Sequence, residues 1–316
     1  MRRRVLHISV KDPMRGAYSA SRLTDKYSSK FVARSIVLQE EKTFSKTMAS
    51  LYDVDLTPRK DYNEVKEKLQ WADIYHIHGP VQPVVELLNK LSLEYKPHTP
   101  VVVEKGYGHP EDTFNNSSRH VKVCSANIIQ DPQADFVLPL AIDIKNHTPL
   151  DRFNNKNTRL VTYIPTSAPG KRDKDTCYRF IYDSLKALSR NKAIYYSSEI
   201  PDADASIHAR MRVSRLGVNN VVRGSYYPGF LLYMAYGVLP IANIDTRILD
   251  QLMKITKCSS VPYIQATRDD FMVKAATAIK SGKVLEMSPI VRKWVDTYYT
   301  PNQIIEHYDE LYSAIY

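Results

Sequence analysis

The chain has 316 residues, 43% of them hydrophobic and 25% charged, which fits a globular protein with room for two cores and excludes a disordered or low-complexity polymer. Its 44 basic and 34 acidic side chains leave a formal charge of +10, a surface suited to polyanions such as nucleic acid, anionic lipid headgroups or nucleotide phosphates, and equally to plain solubility. No apolar run is long enough to span a bilayer, the basic start M-R-R-R is followed by too short an apolar stretch for a signal peptide, and Cys124, Cys177 and Cys258 show neither disulfide nor zinc spacing, so a reducing cytoplasm is expected.

Residues 5–10 (V-L-H-I-S-V) read as a first buried strand, followed by the loop K-D-P-M-R-G and a helix opening at A-Y-S-A-S-R-L. Residues 31–38 read as a strand and 62–69 as an amphipathic helix. Residues 72–79 (A-D-I-Y-H-I-H-G) are a strand ending in glycine, 84–93 a helix and 100–104 a β-branched strand. Residues 121–129 and 135–140 complete the half. The polar stretch 145–158, rich in turn formers, reads as a linker. The pattern then restarts with a strand at 160–164, the loop P-T-S-A-P-G-K-R-D-K-D, a helix at 178–188 and a strand at 193–197. Next comes R-G-S-Y-Y-P-G-F-L-L-Y-M-A-Y-G-V-L-P-I-A-N-I-D over 223–245: a glycine-punctuated loop, a short apolar helix at 230–236, a glycine stop and a buried strand at 238–244. Residues 269–281 are helical. Thr300, Pro301 and Gln303 form a helix start, with Ile304, Ile305, Tyr308, Leu311 and Ile315 at helical spacing behind it.

Alternating strands and helices argue an α/β chain of two Rossmann-like domains, each a parallel sheet, facing across a cleft. Ligands of such sheets sit at the carboxyl ends of the strands. That places Arg15 and Gly16, His76 and His78, the loop from Glu104 to His109, the loop 166–174 and the loop 224–229 at candidate positions. The last of these offers backbone N–H groups and a helix N-terminus to a phosphate, and is also consistent with an ordinary packed helix–strand unit. His76 and His78 share one face of a strand, as functional groups or as a satisfied buried pair; further metal ligands are not visible beside them. Lys171, Arg172 and Lys174 suit a diphosphate or simply solvent. Tyr226 and Tyr227 suit stacking on a base or packing between loop and core. Arg210, Arg212, Arg215 and Arg223, with 22 tyrosines in the chain, suit an anionic polymer or a solvated face.

The order of these segments resembles the GT-B glycosyltransferases, in particular the retaining, nucleotide-sugar-dependent, family-4-like branch. V-L-H-I-S-V-K-D-P-M-R-G-A-Y-S-A-S-R-L resembles the family's first strand, glycine loop and helix. A-D-I-Y-H-I-H-G resembles its "A-D-hydrophobic-H-x-H" strand, and F-V-L-P-L-A-I-D its "P-N-G-I-D" strand end. T-Y-I-P-T-S-A-P-G-K-R-D-K-D-T resembles the basic loop that opens the second domain, and G-F-L-L-Y-M-A-Y-G-V-L-P-I-A its "E-A-M-A-x-G-x-P-V" segment. The departures are one glycine (Gly16) where the first loop usually has two, and Leu232 where a glutamate usually bonds the donor ribose.

The resemblance implies an acceptor-binding domain over 1–145, a nucleotide-sugar-binding domain over 158–295, and a C-terminal helix over 296–316 crossing back to the first domain. It implies donor contacts from Arg15, Gly16, Ser167, Lys171, Arg172, Lys174, Gly224, Ser225, Tyr226, Tyr227 and Gly229. His78, Glu104 and His109 become catalytic candidates, and Arg22 and His76 acceptor contacts. The co-substrate is a nucleotide sugar, UDP-sugar foremost, with no cofactor and no metal. The basic balance, compact length and eroded signature resemble phage enzymes that glycosylate a hydroxymethylated base in double-stranded DNA, which would place the chain in a host cytoplasm. The alternatives are a saccharide or lipid-linked-sugar transferase with peripheral membrane contact, and an inactive GT-B binding protein.

Overall fold

The protein is described from a computed structural model, which describes residues 2–10, 16–39, 56–79, 81–105, 120–126, 134–147, 149, 160–163, 176–190, 195–197, 204–222 and 224–316. The chain divides into two compact units, one of Met1–Asp143 with Pro301–Tyr316 and the other of Ile144–Thr300.

The first unit runs β1 (Arg3–Ser9), α1 (Gly16–Tyr27), β2 (Phe31–Val37), α2 (Pro58–Trp71), β3 (Ile74–His78), α3 (Val81–Lys90), β4 (Val101–Lys105), β5 (His120–Ser125) and β6 (Phe136–Leu138). Its sheet has the order β2-β1-β3-β4-β5-β6, every pair parallel. A parallel sheet is covered on both faces, so its strands bury every side chain rather than alternate ones. In β1, Val5, Leu6, His7, Ile8 and Ser9 all have 0% exposure, and the two polar members of that run need partners inside the protein. Helix α2 turns Val65 and Leu69 inward and its lysines and glutamates outward.

The second unit runs β7 (Leu160–Tyr163), α4 (Thr176–Arg190), β8 (Tyr195–Ser197), α5 (Asp204–Val213), β9 (Leu216–Val218), α6 (Pro228–Ala235), β10 (Leu239–Ala242), α7 (Thr246–Thr256), β11 (Ile264–Gln265), α8 (Phe271–Lys280) and α9 (Lys283–Tyr298). The strand order is β11-β10-β9-β7-β8, again all parallel. The last helix, α10 (Pro301–Ile315), belongs to the first unit. It buries Ile304, Ile305, Tyr308, Leu311, Tyr312 and Ile315, and packs on α1, where Ser28 Oγ donates to Asp309 Oδ1 at 2.7 Å. No helix among the described residues is long and apolar enough to cross a membrane.

Five elements of the second unit escape sequence reading, α5, β9, α7, β11 and α9, three of them for identifiable reasons. β9 has only three residues with Gly217 in the middle, a residue that ordinarily weakens strands. Tyr233 of α6 explains it: its ring would lie within 2.3–2.5 Å of a Cβ at position 217, while its hydroxyl donates to Thr162 O at 2.9 Å. Helix α9 carries Pro289 in its interior, which reads as a breaker. Helix α7 follows the apolar strand directly; Asp245 caps it by accepting from Arg247 N–H at 2.9 Å. The glycine stop after α6 is a Schellman closure: Gly237 takes φ +65°, its N–H bonds Met234 O and the Val238 N–H bonds Tyr233 O, both at 2.8 Å.

Two outcomes follow. Gly217→Ala drives a methyl into the Tyr233 ring and is expected to destabilise the second unit by about 1–3 kcal/mol, read as a lowered denaturation midpoint. In the first unit, Arg4 grips Asp73 through Nε–Oδ2 at 3.0 Å and Nη2–Oδ1 at 2.7 Å, tying the start of β1 to the entry of β3. Burial pushes the Asp73 carboxyl up, but the Arg4 hydrogen bonds and charge outweigh it, and the net shift is downward. A depressed carboxylate contributes stability above its unfolded pKa and loses it as pH falls through the folded value. Asp73→Asn, at a partly exposed pair, is therefore expected to cost about 1 kcal/mol at neutral pH after solvent screening. The difference from wild type should vanish in acid; a pH-independent difference would show that the pair is not its source.

Candidate functional site

The strand order creates one opening in each unit. Where a chain leaves a central strand first to one side and then to the other, the carboxyl ends of the two neighbouring strands lie at a switch point, the habitual ligand position of open α/β sheets. In the first unit this falls between β1 and β3, and in the second between β7 and β9.

At the second unit's opening, the chain leaves β9 through residues 219–227 and enters α6. Two asparagines shape this turn. Asn219 Oδ1 accepts the Tyr227 N–H at 3.0 Å. Asn220 Oδ1 accepts the Val222 N–H at 3.0 Å, and its Nδ2 donates to Ser225 Oγ at 3.1 Å. Both backbones are anchored to β10, Asn219 N–H to Ile241 O at 3.0 Å and Asn243 N–H to Asn220 O at 2.7 Å. Gly224 takes φ +70°, which a side chain at this position would oppose, and its carbonyl accepts the Asp245 N–H at 2.7 Å. Pro228 opens α6 and supplies no N–H, so the Gly229 amide is the first helical donor there. This is a rigid, backbone-lined helix entrance suited to an anion. Asp245, beside Gly224, puts a carboxylate at the rim, paired to Arg247 through Oδ2–Nη2 at 2.9 Å; that pairing draws its pKa down to about 2.

At the first unit's opening, parallel register brings three imidazoles together. His7 on β1 pairs with His76 on β3, and His78 lies two residues on along the same face. The His76 and His78 rings stack at 4.3 Å, and His7 lies 4.9 and 5.2 Å from them. His7 Nδ1 and His78 Nε2 share a hydrogen bond of 2.8 Å. Tyr312, reaching in from α10, places its hydroxyl 2.8 Å from His76 Nδ1 and 3.3 Å from His7 Nε2. Glu104, at the end of β4, brings Oε2 to 2.6 Å from His78 Nδ1, a close approach rather than an aligned hydrogen bond. Burial, reinforced by His78, holds His7 well below the usual imidazole pKa; burial, then His78 and His7, does the same for His76. Burial pushes the Tyr312 phenol well up, so it stays protonated.

Of the residues expected from sequence, His78 and Glu104 are brought together, at the solvent-reached end of the cluster. His76 has 0% exposure and turns its ring to Tyr312 and the other histidines, which corrects its reading as an acceptor contact: it presents no atom to a solvent-borne substrate. Ser225 and Tyr226 are likewise buried, Ser225 held by Asn220 and Tyr226 packed on Phe230 at 5.4 Å, so the packing alternative holds for Tyr226. Tyr227 is half-buried at the start of α6, beside Gly229. Arg22 is exposed on α1, and Gly16 is the exposed first residue of that helix. Arg15, His109, Ser167, Lys171, Arg172, Lys174 and Arg223 lie outside the described residues. Arg215 is buried just before the amino end of β9, away from the carboxyl-end opening. Sequence reading misses His7, Tyr312, Asn219 and Asn220. His7 was visible as a polar residue inside an apolar strand, and Tyr312 as the residue four positions after Tyr308. Removing the hydroxyl that serves two imidazoles, Tyr312→Phe, is expected to cost about 1–3 kcal/mol, measurable as a lower unfolding midpoint of the full chain.

No known family profile matches the chain, and no curated protein matches it. Solved structures do. An alpha-glucosyltransferase in complex with UDP and a 13-mer DNA containing a central A:G mismatch superposes with a TM-score of 0.65 at 12% identity, covering 99% of both chains. An alpha-glucosyltransferase in complex with UDP-glucose and DNA containing an abasic site gives 0.60 at 14% identity, again over 99% of both. The Anabaena protein Alr3699/HepE in complex with UDP and glucose gives 0.59 at 10% identity, over 99% of this chain and 100% of that one. Similarity at this identity, running end to end through two parallel α/β units and a returning C-terminal helix, establishes architecture: the chain has the GT-B fold.

Proposed function

We propose that this protein is a nucleotide-sugar-dependent glycosyltransferase that moves a sugar, with retention, from a UDP-sugar to the hydroxyl of a hydroxymethylated base in double-stranded DNA. The observation that carries the reading is end-to-end likeness to an alpha-glucosyltransferase complexed with UDP and DNA, joined to this chain's own charge of +10. A duplex exposes a base hydroxymethyl group in its major groove or by flipping, and basic surface is what approaches its phosphates.

In this reading the second unit, over 158–295, takes the donor and the first, over 1–145, the acceptor. The β9–α6 turn receives the diphosphate on backbone N–H groups at Gly229 and the helix entrance. Lys171, Arg172 and Lys174 neutralise the charge that builds on the leaving diphosphate, with a hydrogen bond from Ser167. Tyr227 carries the uridine contact that Leu232 cannot supply; Leu232 instead packs against Met211 and Tyr233. Asp245, beside Gly224, takes the ribose-bonding role that the carboxylate has in the family. Glu104 and His109 act near the acceptor hydroxyl, with Arg22 on the DNA, and the host cytoplasm is the site of action.

A second reading, a GT-B protein that binds nucleotide sugar without transfer, is favoured by Leu232 alone.

A panel of UDP-sugars, assayed for UDP release and for label incorporated into hydroxymethylated or unmodified duplex, separates these. Transfer only to the modified duplex, with duplex binding that weakens steeply as salt rises, is the expected outcome. Nucleotide binding with no turnover selects the second reading, and transfer to a saccharide or lipid acceptor with no duplex binding overturns the DNA assignment. Tyr227→Ala is expected to weaken UDP binding by about 5–100-fold, the scale of base–aromatic stacking. Unchanged affinity would take the base contact away from Tyr227.

A further inference from the structure

Three imidazoles packed side by side inside a sheet need a reason, because each brings two ring nitrogens into a place where water cannot satisfy them. One arrangement of protons satisfies most of the cluster. His76 Nδ1–H donates to the Tyr312 oxygen, the Tyr312 hydroxyl donates to His7 Nε2, His7 Nδ1–H donates to His78 Nε2, and the His78 Nδ1 proton faces Glu104. Two ring nitrogens lack a hydrogen-bond partner: His78 Nδ1, which Glu104 Oε2 approaches at 2.6 Å, and His76 Nε2, which is fully buried.

Each histidine also has one nitrogen oriented from outside the cluster. Tyr312 holds His76 Nδ1 and His7 Nε2, and Glu104 stands over His78 Nδ1. The three that remain are His76 Nε2, His7 Nδ1 and His78 Nε2. One ring nitrogen from each histidine lies within 4.8 Å of the others, and the His7–His78 pair is at 2.8 Å. This is the arrangement of a metal-binding histidine set, in which outer partners fix tautomers and a carboxylate behind one ring raises its basicity.

We infer that His7, His76 and His78 form a three-ligand divalent-metal site of Zn²⁺ type with an open fourth position, with Glu104 and Tyr312 as its outer shell. Zn²⁺–N bonds of about 2.0–2.1 Å place tetrahedral ligands about 3.3 Å apart. The 2.8 Å pair must therefore open by about half an ångström and the wider separations close. On binding, the His7 proton shifts from Nδ1 to Nε2. The Tyr312 oxygen then accepts from both His76 Nδ1–H and His7 Nε2–H, within its two lone pairs. No proton need leave the site, and the lone pair orphaned at His76 gains its partner. The path in is past Glu104, whose side chain is 25% exposed against 9% for His78. The ion would bridge β1 to β3 and, through Tyr312, brace α10 on the sheet. Neither sugar transfer nor nucleotide binding is assumed.

The test uses the full chain without a polyhistidine tag, freed of metal by dialysis against chelator and then titrated with Co²⁺. The expected result is saturation at one equivalent, with the intense visible bands of tetrahedral Co²⁺, bleached on adding one equivalent of Zn²⁺, and a Zn²⁺-dependent rise in melting temperature. Surface histidines give only pale octahedral Co²⁺ and do not mimic it. His7→Asn and His76→Asn should abolish the bands. Glu104→Gln, which keeps all three nitrogens, should weaken binding by about 10–100-fold. Absence of saturable tetrahedral bands in the wild-type chain overturns the site, and so does a spectrum unchanged in both His→Asn variants. The readout is independent of transfer, so its failure leaves the proposed activity standing.

Discussion

A parallel sheet built in the order 2-1-3 cannot be covered evenly. The crossover from β1 to β2 leaves on one side and the path to β3 returns on the other, so the connections diverge above the carboxyl ends of β1 and β3. The second sheet repeats the constraint with β8, β7 and β9. Handedness of parallel crossovers leaves the chain little choice in the matter. At these two places lie His7, His76, His78 and Glu104 in the first unit and the turn from Asn219 to Gly229 in the second. The openings come from topology, and the side chains differ in how they fill them.

They are filled by opposite strategies. The second unit uses backbone: a left-handed Gly224, a helix entrance, and asparagines spent on holding the turn. The first unit uses side chains, and must meet the cost of burying them. A ring nitrogen left without a partner in a sheet core costs about 1–3 kcal/mol. The Tyr312 hydroxyl removes most of that cost, and it is present only because α10 docks. The apolar anchors Ile304, Ile305, Leu311 and Ile315 thus position a polar atom as well as bury area. The last fifteen-residue helix of the chain is structurally part of a cluster whose other members lie more than two hundred residues earlier.

This division explains what was legible in the sequence. Strands of the first sheet were readable because double burial makes them nearly continuous apolar runs, and α10 because its apolar spacing is strict. The pairing of His76 with His78 was readable, since two residues on one strand share a face. His7 was not readable as their neighbour, because register between strands is a tertiary fact: nothing in V-L-H-I-S-V says which strand will lie alongside. β9 was unreadable for a related reason. Three residues centred on glycine have no strand propensity to speak of, and only the Tyr233 ring pressed against Gly217 explains the choice. Tyr226 was open in the sequence between stacking on a base and packing into the core, because its burial rests on Phe230, a tertiary contact along α6.

The position of Leu232 shows how far such a fold can drift. A side-chain contact to a ligand is one mutation from being lost, whereas an amide aimed by a helix start persists through any substitution that preserves the turn. The features that preserve this turn are few: Gly224 for its φ, Pro228 to begin the helix, Gly217 for the approach of Tyr233, and Gly237 to end it. All four are set by backbone geometry rather than by ligand chemistry. An identity near 12% over the whole length is then compatible with a TM-score of 0.65, because what is held in common is the path of the main chain. A leucine at position 232 leaves the helix entrance intact. Under the proposed function, recognition of the nucleoside falls to groups that border the same opening, the half-buried Tyr227 and the carboxylate of Asp245 beside Gly224.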